Sequence, residues 1–327
     1  MRFVGFAVLV LASFLSVADI RAAETMTIEA KIPLGKVEGR IDHFAIDPAR
    51  KRLFVAELGN NSVGVIDLAE GKVIKRLSGL KEPQGVGYMP STDTLYVANA
   101  GDGSVDLFQG ADLSSTGKIE LGEDADNIRV DDAAGRVYVG FGKGGVAVVD
   151  AASRKKIGEI KLKAHPESFQ LDQASGKIWA NVPDAGQVAV LDRGAGQQVA
   201  TWPLKDARSN FPMAVDQGNQ RVIIVARQPA KLIAFNAKDG TITAQSDTCG
   251  DADDVFVDAK RKRTYVSCGE GFIDVFENQA SAFQRLGRVR TVPGARTSFF
   301  VADLDQLFLA VRAAGNEPAA IWILRPQ

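Results

Sequence analysis

The sequence of 327 residues is poor in the residue types that most often carry chemistry. It has two histidines and two cysteines, and the absence of a Cys-x-x-Cys-His segment argues against covalently bound haem. Its serine, cysteine and histidine residues show no arrangement typical of nucleophilic catalysis. The 39 basic and 40 acidic residues leave a net charge of −1, so we expect no electrostatic attraction to nucleic acid.

Long hydrophobic runs are missing except at the N-terminus. Residues 3–18 are apolar and uncharged, they follow Met1-Arg2, and cleavage after Ala18 or Ala23 would fit the small residues found there. We therefore predict a signal peptide at residues 1–23 and a single domain at residues 24–327. No later segment approaches the roughly 20 apolar residues that span a bilayer, so no membrane span is predicted in the mature chain. The mature protein is predicted to be periplasmic or secreted.

Helical periodicity is also missing, and a repeat of short strands takes its place. Seven units share one pattern of four strands rich in β-branched residues and separated by Gly, Asn and Asp turns. The second strands of the units begin, in steps of 41 to 44 residues, at Leu53, Leu95, Val137, Ile178, Val222, Thr264 and Leu307. This period predicts an all-β fold, a seven-bladed β-propeller with four antiparallel strands per blade.

The two ends of the chain indicate how the ring closes. The last unit stops after its third strand, and a spare strand at residues 25–35 precedes the first unit. We predict that this N-terminal strand completes blade seven, because closure removes the exposed sheet edges of an open array.

The second-strand motif, clearest as Tyr96-Val97-Ala98-Asn99, resembles the YVTN family of β-propeller repeats. Third strands that end in Asp67, Asp150 and Asp192 are similar to that family too. The resemblance covers about residues 25–327 and implies an exported bacterial propeller. It implies no catalytic residue, because no catalytic motif of the relatives can be placed on this sequence.

Polar residues cluster in the loops that lead into the first strand of each unit. In a propeller these loops surround one mouth of the central channel, and ligand sites form where such loops converge. We define the lead-in position as the residue two places before the first core apolar residue of the first strand. It is occupied by Asp42, Gln84, Asp126, Glu167, Phe211, Asp253 and Thr297. Nearby positions add Arg40, His43, Asn127, His165, Asp254 and Arg296.

Carboxylates that converge on one mouth repel one another unless something offsets their charge. We predict that this rim binds a divalent cation, Ca²⁺ or Mg²⁺, or a cationic or polyhydroxylated ligand. The predicted contacts are Asp42, Asp126, Glu167 and Asp253. The alternative is that the aspartates cap turns by accepting backbone N–H groups. We do not expect His43 and His165 to form a metal pair, because blades one and four would hold them apart.

Two classes of function fit this rim. The first is a monomeric, non-catalytic binding or scaffold protein for a small-molecule ligand or a periplasmic protein partner. The second is a metal-assisted, lactonase-like hydrolase or lyase in which His43 or His165 acts as general base. We favour binding, since it needs only the scaffold and the polar rim.

The two cysteines are predicted to form a disulfide. Cys249 precedes the first strand of the sixth unit and Cys268 ends its second strand, so antiparallel pairing brings both to the same rim. Export favours oxidation. The alternative is a thiol metal site at the same place.

Overall fold

The computed structural model describes residues 25–327, and the predicted signal peptide lies outside them. The described residues form 28 strands in seven antiparallel four-stranded sheets. The protein is a seven-bladed β-propeller, which confirms the predicted fold class. No helix in this part of the chain is long and apolar enough to cross a membrane.

The strands follow one another blade by blade. The chain begins with β1 (Met26–Gly35), which belongs to blade seven. Blade one contains β2 (Phe44–Asp47), β3 (Arg52–Glu57), β4 (Ser62–Asp67) and β5 (Lys72–Ser78). Blade two contains β6 (Pro83–Met89), β7 (Thr94–Asn99), β8 (Ser104–Gln109) and β9 (Ser114–Glu120). Blade three contains β10 (Ile128–Asp131), β11 (Arg136–Phe141), β12 (Gly145–Asp150) and β13 (Lys155–Lys161). Blade four contains β14 (Phe169–Leu171), β15 (Lys177–Val182), β16 (Gln187–Asp192) and β17 (Gln197–Pro203).

The remaining blades continue in the same way. Blade five contains β18 (Arg208–Asp216), β19 (Arg221–Gln228), β20 (Ala230–Asn236) and β21 (Ile242–Asp247). Blade six contains β22 (Ala252–Asp258), β23 (Arg263–Cys268), β24 (Phe272–Gln279) and β25 (Ala282–Arg290). Blade seven contains β26 (Ser298–Val301), β27 (Gln306–Val311) and β28 (Ala319–Pro326), together with β1. Short 3-10 turns lie at Leu58–Asn60, Pro90–Thr92, Pro183–Ala185 and Ala302–Leu304.

The ring closes where the two ends of the described chain meet. Strand β1 pairs antiparallel with β28, from Met26 opposite Pro326 to Gly35 opposite Ala319. Blade seven is therefore built from both ends of the chain, as the sequence predicts.

The core lies between neighbouring blades rather than at the centre of the ring. One cluster packs Phe54 and Val65 of blade one against Val86 and Leu95 of blade two. Similar clusters combine residues of other adjacent blades. Each sheet thus buries both faces, which explains why the second strands read as continuous apolar runs.

Every outer strand carries a β-bulge. The register of β1, β5, β9, β13, β17, β21 and β25 against the inner neighbour shifts by an extra residue. The extra residue is Glu29, Ile74, Thr116, Ile157, Val199, Thr243 or Leu286 in the respective blade, and β1 has a second extra residue at Leu34. Bulges bend an edge strand and disturb its row of unpaired backbone groups, so they disfavour edge-to-edge association.

The aspartates that end the first strands cap hairpins on the face opposite the lead-in loops. Asp47 Oδ1 accepts the Arg50 N–H at 3.1 Å, and Asp258 Oδ1 accepts the Arg261 N–H at 3.1 Å. Arg261 belongs to a run of four basic residues at 260–263, and it also pairs with Asp258 and with Asp305 of blade seven. These residues therefore serve turn formation and blade contacts.

The cysteine sulfurs lie 2.01 Å apart, at disulfide distance. Both cysteines are buried, and the Cys249 N–H donates to Asp274 Oδ2 at 2.9 Å. The bond ties the loop that leads into blade six to the end of β23.

Removal of β1 should unfold most of the protein. The strand buries Met26, Ile32 and Leu34 to between 1% and 4% exposure, and each such side chain contributes about 1.5–3 kcal/mol. The sum is comparable to the roughly 5–15 kcal/mol that stabilises a typical native protein. A variant lacking residues 25–35 should aggregate or melt far below the wild type, and a synthetic peptide of residues 25–35 should restore it. A melting temperature within a few degrees of the wild type would contradict the closure.

Replacement of both cysteines by alanine should lower the free energy of unfolding by about 3 kcal/mol. The disulfide joins residues 19 positions apart and so restricts the entropy of the unfolded chain. Urea unfolding measures this, with reduced wild-type protein as the control. Two free thiols in the oxidised, denatured wild type would show that the bond is not formed.

Candidate ligand-binding site

A polar pocket of about 260 Å³ lies at the mouth of the central channel. It is lined by Arg40, Asp42, His43, Gln84, Asp124, Asp126, Asn127, His165, Glu167, Ser168, Phe211, Arg227, Asp253 and Arg296. The structure brings together every residue of the predicted rim except Thr297 and Asp254, and Asp254 lines the channel just below. We call this space the mouth pocket.

Backbone hydrogen bonds fix how the lead-in residues face the mouth pocket. In blade three the Asp126 N–H donates to the Gly140 carbonyl at 2.9 Å, and the Gly140 N–H donates to the Asn127 carbonyl at 2.9 Å. Asp42 in blade one and Glu167 in blade four make the same type of bond with their second strands, at 2.7 and 3.0 Å. The repeat therefore places equivalent side chains at equivalent points around the mouth.

One glycine allows blade three to approach blade two at this level. A Cβ atom at Gly85 would lie 1.9 Å from the carbonyl oxygen of Asp126. Any larger residue would push Asp126 away from its position. The glycine thus contributes to the geometry of the mouth pocket without offering a side chain.

Arginines neutralise the carboxylates on one side of the mouth pocket. Arg296 Nη1 lies 2.7 and 2.8 Å from the two oxygens of Asp251, and its Nε lies 3.0 Å from Asp253 Oδ2. Arg227 also pairs with Asp253, and its guanidinium lies 3.9 Å from the centre of the Phe211 ring. Asp253, a predicted cation contact, is therefore held between two guanidinium groups.

Imidazoles face the carboxylates on the other side. Asp126 lies between the histidines, with its Oδ1 4.0 Å from His43 Nε2 and its Oδ2 3.7 Å from His165 Nε2. Both distances exceed hydrogen-bond range. The structure thus brings His43 and His165 to the same carboxylate, although they belong to blades one and four.

Asp126 keeps one acceptor without a partner. The residue is 5% exposed, and its Oδ1 has no hydrogen-bond partner among residues 25–327. The Glu167 carboxyl takes part in no ion pair or hydrogen bond within the same residues. By contrast, His165 Nδ1 lies 2.6 Å from the Gly142 carbonyl and can donate to it, which leaves Nε2 directed at Asp126.

Burial and neighbouring charge change the acidity of these groups. Burial, together with the charge of Asp126, raises the pKa of Glu167 to about 8. Burial alone would lower the pKa of His165, but its contacts with Asp126 and the Gly142 carbonyl raise that pKa to about 9. Burial also raises the pKa of Asp42. Near neutral pH the mouth pocket therefore offers hydrogen-bond donors as well as acceptors.

The described part of the chain contains no assembled set of ligands for the predicted cation. There, no group of three or more His, Cys, Asp or Glu side chains is arranged to hold a metal ion. Asp253 is paired with arginines, and Arg40 Nη2 lies 2.5 Å from Asp42 Oδ2. Ca²⁺ or Mg²⁺ binding, and the hydrolase that would depend on it, stay predictions.

Two arginines near the mouth pocket were not singled out by sequence. Arg227 follows the core of a second strand, where most units have an uncharged residue, and Arg129 is a charged residue inside the first strand of blade three. Both are exceptions to the repeat, and that is the signal that could have identified them.

Comparison with solved structures finds similar folds at low sequence identity. A chain in the crystal structure of the mitotic checkpoint complex matches with a TM-score of 0.79 and 13% identity, over 98% of each chain. A chain of hydrazine synthase from Kuenenia stuttgartiensis matches with a TM-score of 0.73 and 14% identity, over 92% of this chain and 99% of that chain. At such identities the likeness shows the fold alone. No protein-family model and no curated protein sequence matches the chain.

Replacement of Glu167 by glutamine should flatten the pH dependence of stability. The pKa of Glu167 is about 8 in the fold and near 4.5 in the unfolded chain, so the unfolded state ionises first as pH rises. Stability should therefore fall between about pH 5 and pH 8 in the wild type, and the raised pKa of His165 extends the fall toward pH 9. Urea midpoints across this range measure the slope. Equal slopes in E167Q and the wild type would show that Glu167 is ionised throughout.

Proposed function

We propose that this protein is an exported binding protein that holds one small polyhydroxylated molecule in the mouth pocket. The observation that carries the proposal is the carboxylate of Asp126, a residue that lines the pocket and whose buried Oδ1 lacks a hydrogen-bond partner among the described residues. A buried carboxylate oxygen without a partner costs free energy, and a ligand hydroxyl would supply the missing donor.

The mixed lining of the mouth pocket supports a hydroxyl-bearing ligand. Gln84, Asn127 and Ser168 supply groups that both donate and accept, and Glu167 donates when it is protonated. Several hydroxyls of one molecule could each find a partner in such a setting. A simple cation would use only the acceptors.

The size of the pocket supports a single small molecule. Its volume of about 260 Å³ lies just below the roughly 300–1,000 Å³ of pockets for drug-sized ligands. One sugar-sized ring is therefore a suitable occupant.

Location outside the cytoplasm belongs to the same proposal. The buried Cys249–Cys268 pair supports an oxidising compartment, because such bonds persist mainly in exported proteins. A periplasmic protein partner on the outer surface would be compatible with occupation of the mouth pocket.

The test is calorimetric titration of the purified protein with glucose, mannose and myo-inositol, and separately with Ca²⁺ and Mg²⁺ after EDTA treatment. At least one polyol should bind, and Asp126→Asn should weaken it about tenfold to a hundredfold, because a hydrogen bond to a charged group contributes about 1.5–3 kcal/mol. Asp303→Asn, at an exposed site in a hairpin between β26 and β27, is the matched control.

A folded wild type that binds no polyol would contradict the proposal. The mouth carboxylates would then form a cluster balanced by arginine and histidine alone. Binding of Ca²⁺ or Mg²⁺ without any polyol would instead favour the cation prediction.

A further inference from the structure

We infer that the polyhydroxylated ligand carries a carboxylate group and that Arg129 binds this carboxylate at the floor of the mouth pocket. The inference rests on the proposed function and specifies the class of ligand as a sugar acid or a similar hydroxylated carboxylate.

Arg129 lies directly beneath residues that line the mouth pocket. Its Nη2 donates to Ser168 Oγ at 3.2 Å, and its Nη1 lies 3.3 Å from Asn127 Oδ1. Nη1 also donates to the Ile128 carbonyl at 2.8 Å. The guanidinium lines a second cavity of about 520 Å³, the central channel, and His43 lines both spaces. The two spaces therefore meet at His43, and Arg129 lines the channel while it bonds to two residues of the mouth pocket.

Arg129 differs in its partners from the three arginines that line the mouth pocket. Arg40, Arg227 and Arg296 each lie within 4.0 Å of a carboxylate oxygen. Arg129 makes no such ion pair with any residue between 25 and 327. All its hydrogen bonds go to neutral groups, and it stacks at 5.4 Å from the centre of the Phe169 ring.

The nearby acid Asp254 does not offset this charge well. Its Oδ2 accepts the Ser298 N–H at 2.7 Å, so it is held by blade seven. Burial raises the pKa of Asp254 to about 8, and burial lowers the pKa of Arg129 to about 10. Near neutral pH Arg129 is therefore charged and half-buried, and neither Asp254 nor Asp126 lies within ion-pair distance of its guanidinium.

A ligand carboxylate would give Arg129 a counter-charge and two hydrogen-bond acceptors. A buried charge is costly unless a counter-charge and hydrogen bonds accompany it. The planar guanidinium suits a carboxylate, since it can donate two parallel N–H groups. Asp126 would accept a hydroxyl of the ligand in the mouth pocket, and Arg129 would bind the carboxylate of the same ligand at the floor of that pocket.

The experiment compares glucose with glucuronate, which share a ring and differ in a carboxylate, by calorimetry near pH 7. The wild type should bind glucuronate at least tenfold more tightly than glucose, and acetate should not match it. Arg129→Gln should abolish the preference while glucose binding is retained, and Arg129→Lys should restore part of it. Arg290→Gln, an exposed site, is the matched control, and near-UV circular dichroism checks the fold.

The outcomes separate this inference from the proposed function. Equal binding of glucose and glucuronate, or a preference that survives in R129Q, would overturn the role of Arg129 and leave polyol binding in place. Acetate binding as tight as glucuronate would overturn the ligand class, because the hydroxyls would then add nothing to the affinity. If neither sugar nor any other polyol binds, both proposals fail. If R129Q does not fold, the wild-type preference and its reduction in R129K decide the question.

Discussion

The antiparallel pairing of β1 with β28 is the interaction on which the rest of the structure depends. It joins the two ends of the described chain in one blade and leaves no blade with an unfinished sheet. Because the ring is closed, the lead-in loops of the blades point at one channel mouth instead of following an open spiral. Residues far apart in sequence, such as His43, Asp126 and His165, can then meet in one pocket. The bulged outer strands keep the remaining edges from further pairing, so the closed ring is also protected from association.

Closure creates an electrostatic problem at the mouth, and the chain resolves it in two ways. The mouth pocket is lined by the carboxylates Asp42, Asp124, Asp126, Glu167 and Asp253 against the guanidinium groups of Arg40, Arg227 and Arg296. On the arginine side direct ion pairs offset the charge. On the other side two imidazoles and a raised carboxyl pKa reduce the repulsion, and no close hydrogen bond reaches Asp126 Oδ1. The difference between the two sides is the reason to regard the second side as the place where a ligand binds.

The fold and the residues that gather at the channel mouth could be predicted from the sequence, whereas the pairing of these residues could not. The 41-to-44-residue steps fixed the number of blades, and the incomplete last unit indicated ring closure. The lead-in positions identified the residues of the mouth pocket, because the repeat gives equivalent residues equivalent places. Contacts between blades depend on ring curvature, which no local pattern encodes. Hence the pairing of Asp253 with Arg227, and the meeting of His43 and His165 at Asp126, became visible only in three dimensions.

We propose the mouth pocket as a binding site and not as a self-contained cluster of charges. A high-resolution crystal structure of the wild type soaked in glucuronate tests this most directly. We expect a bound molecule with a hydroxyl about 3 Å from Asp126 Oδ1 and its carboxylate on Arg129. The contradicting result is a pocket with no bound sugar, in which His43 Nε2 has moved from 4.0 Å into hydrogen-bond range of Asp126 Oδ1 and satisfies that oxygen itself.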